Sequence, residues 1–171
     1  MRQGRHSEAM RELDAAAAAG AAPGAAAVLV HRVDTWRAEL AYFQGRYSEA
    51  NEIVARVLAP LERHGDLAYA AFALRIRIAT LLARVDYDGV AALAERAVQL
   101  AEASGDQYVL VQILNILGAV QFDRATSKLT GPHARAHLSS LDPGDAAPME
   151  VDAREALRLF ERASEVAKRA N

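Results

Sequence analysis

Apolar residues recur three and four positions apart along most of this chain. Leu67, Ala70, Ala71, Leu74, Ile78, Leu81 and Leu82 form one such stripe between Asp66 and Ala83. Val90, Leu93, Ala94, Ala97, Val98 and Ala101 form a second, and Leu110, Ile113, Leu114, Leu117 and Val120 a third. That spacing puts the apolar side chains on one face of an α-helix. Gly45, Gly65, the Asp86 to Gly89 segment and Gly105 punctuate the stripes as turns. The pattern predicts seven main helices in antiparallel hairpins, beginning near residues 6, 25, 48, 66, 88, 106 and 152, with no sheet. Ser7, Ser48 and Asp88 are the expected N-caps, and Asp152 with Glu155 forms a capping box. Pro60 is expected to kink or shorten its helix, because it removes an amide donor.

The helices also repeat as pairs. Gly4-Arg5-His6-Ser7-Glu8-Ala9 returns as Gly45-Arg46-Tyr47-Ser48-Glu49-Ala50, and Val85 to Val90 is a looser third copy. Ala9 and Ala50 are 41 positions apart, and Ala50 and Val90 are 40 apart. A second marker, Gly65-Asp66, recurs 40 positions later as Gly105-Asp106. Self-similarity at this period is the mark of stacked helical units. The third pair is interrupted: after the helix ending near Asp123, its partner returns only near Asp152. A loop-rich insertion is therefore expected at about residues 124–150, with Gly131-Pro132, Asp142-Pro143-Gly144 and Ala147-Pro148 as breakers and room for one short helix from His133 to Leu141. The stripe of Leu159, Phe160 and Ala163 is expected to bring the last helix back against the one ending near Asp123. The chain stops at a repeat junction without a polar capping helix, so residues 1–171 read as a single domain that is a piece of a longer array.

Composition narrows the class. Of the 171 residues 52% are hydrophobic and only 6% aromatic, with alanine prominent, which favours closely packed helices and an all-α fold. A net charge of −2 offers no broad field for nucleic acid or an anionic membrane. Cysteine is absent, excluding disulfides and thiol chemistry and agreeing with a cytoplasmic setting. The alanine tract from Ala15 to Ala27 is broken by Gly20, Pro23 and Gly24 and is too short to span a membrane. Lys128 and Lys168 are the only lysines against many arginines, a bias of GC-rich bacterial coding.

Gly45-x-Tyr47-x-x-Ala50, with Asn115-Ile116-Leu117-Gly118 one pair later, resembles the tetratricopeptide repeat, whose pattern includes Leu-Gly, then Gly-x-Tyr, then an alanine. The family's tryptophan position holds Asp34, Leu74 or Leu114 here, His6 replaces the turn tyrosine in the first copy, and the 40-residue period exceeds the family's usual length. HEAT-like arrays share that longer period and are the alternative fold. The resemblance implies a right-handed superhelical solenoid of antiparallel helix pairs, with Tyr47 and Tyr87 wedged at the turns. Its concave face, lined by the first helix of each pair, would carry Arg32, Thr35, Glu39, Phe72, Arg75, Gln112 and Asn115. Basic and amide side chains there would grip a peptide's backbone or carboxylate. Arg75 is expected to be exposed, and Asn115, set in an apolar run, to need a partner.

The function implied is a protein- or peptide-binding module, the interaction or sensory region of a larger bacterial regulatory protein. The alternative is a regulatory or dimerising segment attached to a signalling enzyme such as a diguanylate cyclase, or to a DNA-binding transcription regulator. Self-association through uncapped ends is a further expectation. No phosphate loop, nucleophile elbow or zinc-protease helix occurs, so the segment reads as non-enzymatic and without a cofactor. His133 and His137 could share a helical face with Asp142 or Asp145 nearby, but no third ligand is convincing and exposed loop histidines account for them. Asp86 and Asp88 read as turn former and cap rather than as a catalytic acid pair.

Overall fold

The computed structural model describes residues 2–20, 28–130 and 143–170. Among these there are seven helices and no strand. They are α1 (Arg2–Gly20), α2 (Val28–Phe43), α3 (Tyr47–Arg63), α4 (Leu67–Ala83), α5 (Tyr87–Ser104), α6 (Gln107–Thr130) and α7 (Pro143–Arg169). The all-helical expectation is met. The proposed turn around Gly20 to Gly24, the helix start near residue 25 and the proposed ligands His133, His137 and Asp142 lie outside the described residues. The chain divides into two compact units, Met1–Val109 and Leu110–Asn171, where the sequence pattern suggests one domain.

In the first unit α1 packs on α2, α2 on α3, α3 on α4 and α4 on α5, and α2 also reaches α4 directly. Short turns make successive helices from α2 to α5 antiparallel. Helix α4 is covered by α2, α3 and α5, so every residue from Ala70 to Ile76 is buried. Ala38 and Ala41 of α2 and Ala70, Ala71 and Ala73 of α4 are fully buried, and their small side chains let the backbones approach closely. Val54, Val57 and Leu61 of α3, Leu74, Ile76 and Ile78 of α4 and Val90 of α5 fill the space between.

Three helix ends repeat one hydrogen-bonding device. Arg46 N donates to Ala41 O, Asp66 N to Leu61 O and Asp86 N to Leu81 O, each at 2.9 to 3.0 Å. The residue before each, Gly45, Gly65 or Val85, donates to Tyr42, Glu62 or Leu82. This is the Schellman closure, which satisfies the last carbonyls of a helix and requires a left-handed residue. Gly45 and Gly65 meet that requirement freely at φ 75° and 71°, whereas the β-branched Val85 is held at φ 59°. At the fourth end Gly105 has φ 70°, and Ser104 Oγ relays the closure by donating to Ala101 O and accepting from Asp106 N.

Several boundaries differ from the sequence pattern. Helix α1 already includes Gly4 to Ser7, so Ser7 lies inside it rather than at its N-cap. Helix α3 begins at Tyr47, and its capping position, Arg46, makes no side-chain cap bond, so Ser48 is a first-turn residue. The cap of α5 is Asp86, not Asp88: its carboxylate accepts from Gly89 N at 2.9 Å, and Gly89 lacks the Cβ that would collide with it. Pro60 lies inside α3, which continues to Arg63, because only the last turn loses a donor.

In the second unit, α6 runs on to Thr130 because no breaker occurs before Gly131-Pro132. Helix α7 is described from Pro143. Asp152 and Glu155 are therefore inside a helix and form no capping box. The loop-rich insertion expected at about 124–150 is helical on both flanks, and its centre, 131–142, is outside the described residues. Ile113, Leu114 and Val120 of α6 and Ala156 and Ala163 of α7 are buried. The Phe160 ring lies against Gly118, where an added Cβ would come within 2.7 Å of it. That contact joins α7 to α6, as the stripe containing Phe160 led one to expect.

Candidate functional site: an aromatic face on the first helices

Helices α2 and α4 bring Arg32, Thr35, Glu39, Phe72 and Arg75 into the first unit, whereas Gln112 and Asn115 belong to the second. The first group does not present a single polar face. Thr35 is fully buried and donates to His31 O at 2.8 Å, so it turns inward and back-bonds its own helix. Arg32 stays partly exposed. Its Nε donates to Asp66 Oδ2 at 2.6 Å, and its guanidinium lies 5.1 Å from the Tyr69 ring centre.

Arg75 corrects the expectation of an exposed guanidinium. It is 6% exposed, because α4 is covered on three sides and residue 75 falls between the fully buried Leu74 and Ile76. Its Nη2 lies 2.5 Å from Glu39 Oε2, and Glu39 is itself 9% exposed. The two groups are close but misaligned: neither Arg75 Nε nor Nη2, nor Glu39 Oε2, completes a well-directed hydrogen bond among the described residues. The Arg75 guanidinium also lies 5.0 Å from the Phe72 ring centre. Arg75 therefore belongs to the packing between α2 and α4.

In the second unit the roles expected of the two amides are reversed. Asn115 is exposed, lying on the face of α6 opposite Ile113, Leu114 and Leu117. Gln112 is half-buried, and its Oε1 is shut off without a hydrogen-bond partner among the described residues.

Apart from Phe72, the sequence pattern passed over the aromatic residues that gather in the first unit. Trp36 meets Phe72 edge-on with ring centres 4.9 Å apart, and Tyr69 meets Phe72 at 6.2 Å. Trp36 Nε1 donates to the Tyr69 hydroxyl at 3.3 Å. Trp36 nevertheless remains 47% exposed, Phe43 66% and Tyr108 72%. Trp36 divides two cavities. One of about 350 Å³ lies between α1 and α2, with Leu13, Trp36, Leu40 and Phe43 as its main apolar walls and Glu12 and Glu39 also on its lining. The other, of about 140 Å³, is lined by Trp36, Ala68, Tyr69, Phe72, Asp106, Tyr108 and Val109. The signal available in the sequence was scarcity: with ten Phe, Tyr and Trp residues in the chain, those at 36, 69, 72 and 108 lie at the ends of first helices or one to two turns in.

Charge at the rim is mostly compensated. Arg37 donates to Asp14 at 2.7 Å and to Asp34 at 2.9 Å, and its hydrogen bond to Asp14 is the main reason its pKa is raised further. Among the described residues no group of three His, Cys, Asp or Glu side chains is placed to hold a metal, and no helix is long and apolar enough to cross a membrane. No family model, curated protein or solved structure matches this chain.

Proposed function

We propose that this chain is a non-enzymatic helical-repeat module of the tetratricopeptide type that binds a protein or peptide segment, within a larger bacterial regulatory protein of the cytoplasm. The observation that carries this is the exposed aromatic strip on the first helices, with Phe43, Trp36 and Tyr108 set around two cavities. Aromatic residues anchored in place but left open to solvent are the side chains that dominate binding energy at interfaces. Two cavities separated by one tryptophan suit an extended segment that inserts successive side chains. Direct packing of α2 on α4, in addition to α3, is consistent with stacking of helix pairs into a right-handed solenoid. The binding groups differ from a polar groove: the aromatic rings supply the contact, and of the two arginines expected in the groove, Arg32 and Arg75, only Arg32 reaches the surface.

Selection from a displayed library of random peptides tests this. A recurring sequence pattern should emerge on the native chain, with affinity falling roughly tenfold or more for Trp36→Ala and Phe43→Ala while both variants keep their helical circular dichroism. Failure to enrich any pattern, or enrichment indifferent to both substitutions, would overturn the proposal.

A further inference from the structure

The smaller cavity has a chemistry more specific than a slot for apolar side chains. We infer that it binds a quaternary ammonium group, the fully methylated head of a choline-like solute or of a trimethylated lysine. Four of its lining side chains are aromatic, Trp36, Tyr69, Phe72 and Tyr108, and the charged one is Asp106. Aromatic faces are the negative pole of the ring quadrupole and attract cations that shed their water easily.

The fold already uses two of these rings in that way. Arg32 lies 5.1 Å from the Tyr69 ring centre and Arg75 lies 5.0 Å from that of Phe72. Each arginine takes one face of a ring that has two. Each is also neutralised, Arg32 by Asp66 at 2.6 Å and Arg75 by Glu39 at 2.5 Å, so neither leaves an uncompensated positive charge against a further cation. Asp106 has no such counterpart. Its Oδ1 accepts from Val109 N at 3.0 Å, and among the described residues its other oxygen has no partner. The local balance is one negative charge beside the aromatic walls.

Hydrogen-bonding capacity selects among cations. A lysine ammonium brings three N–H donors and an arginine guanidinium five, and each donor left unpaired on burial is costly. The side chains of this lining offer few acceptors: Asp106, and a Tyr69 hydroxyl that already accepts from Trp36. A quaternary ammonium has no N–H to satisfy. It gains the ring faces and the Asp106 charge without that cost.

Trp36, the chain's only tryptophan, is a built-in reporter. Its fluorescence should change saturably with choline chloride, corrected against equal sodium chloride. The uncharged isostere 3,3-dimethylbutan-1-ol should bind roughly tenfold more weakly or worse. Asp106→Asn keeps a side chain able to cap α6 and should weaken choline roughly three- to fivefold. Tyr108→Ala should weaken it further, whereas Phe122→Ala, at an exposed position of α6 that lines neither cavity, should leave it unchanged. Equal binding of the alcohol, an unsaturable response to choline, or a response indifferent to both Asp106→Asn and Tyr108→Ala in chains that remain folded would overturn the inference. The proposal rests on the peptide-binding reading only for the source of the cation. A peptide carrying one trimethyllysine that binds at least tenfold tighter than choline, while its unmodified lysine twin does not, assigns the cation to a peptide. Choline binding without that gain assigns it to a free solute and counts against the peptide reading alone.

Discussion

Glu39 of α2 and Arg75 of α4 meet 2.5 Å apart inside the first unit, both about nine-tenths buried, without a well-aligned hydrogen bond between them. Among the described residues, each is the other's only ion-pair partner. Arg75→Ala leaves the Glu39 carboxylate unpaired and is expected to cost about 3–5 kcal/mol, measured by urea unfolding. The imperfect geometry has a second consequence. Replacing both partners, Glu39→Leu with Arg75→Met, should recover most of that loss, since two apolar side chains need no alignment. An Arg75→Ala chain of native stability would place this guanidinium in solvent instead.

Val85 occupies the left-handed position that Gly45 and Gly65 fill in the equivalent closures. It is 65% exposed, so replacing it forfeits little burial. Val85→Asn should raise stability by about 1 kcal/mol, because asparagine tolerates this φ far better than a β-branched residue. The reverse experiment is Gly65→Val. No atom crowds a Cβ at Gly65, so any loss of melting temperature there reports backbone strain alone.

Asp86 and Ser48 are set apart by one hydrogen bond. Asp86→Ala removes the carboxylate that accepts from Gly89 N and should destabilise by about 1 kcal/mol. Ser48→Ala removes no cap bond from α3 and should lie within about 0.5 kcal/mol of the native chain. Thermal unfolding of the two variants side by side distinguishes them.

Gly118 and Phe160 should be strongly coupled. A methyl group at 118 would meet the Phe160 ring at 2.7 Å, so Gly118→Ala is expected to destabilise the second unit despite the better helix propensity of alanine. In a Phe160→Ala background the collision is gone, and the same substitution should become stabilising by about 1 kcal/mol. A double-mutant cycle by chemical denaturation reads the change of sign directly.

Helices and their ends were largely legible because both are local. An amphipathic stripe such as Leu67 to Leu82 depends on a 3.6-residue period, and Gly45, Gly65 and Gly105 stop helices because of their own φ. Where the pattern misled, a weak local signal was overruled by a neighbouring one. Asp88 and Ser48 resemble caps, but Asp86 and the Schellman closures begin those helices one or two residues earlier. Within the expected insertion residues 124–130 are helical, because the polar residues from Asp123 onward do not stop α6.

The sequence by itself determined the all-helical class, the paired rhythm and the positions of the turns, since these follow from interactions within a few residues. Only the tertiary structure decided which side chains reach solvent. Arg32 and Arg75 are both arginines on first helices, yet one stays half open and the other is enclosed, because three helices cover α4. Gln112 and Asn115 lie three residues apart on α6, yet burial falls on the first. Trp36 gained its importance the same way: it shares a cavity with Tyr69, Phe72, Asp106 and Tyr108, residues that 33 to 72 positions of chain separate from it and that packing alone brings together.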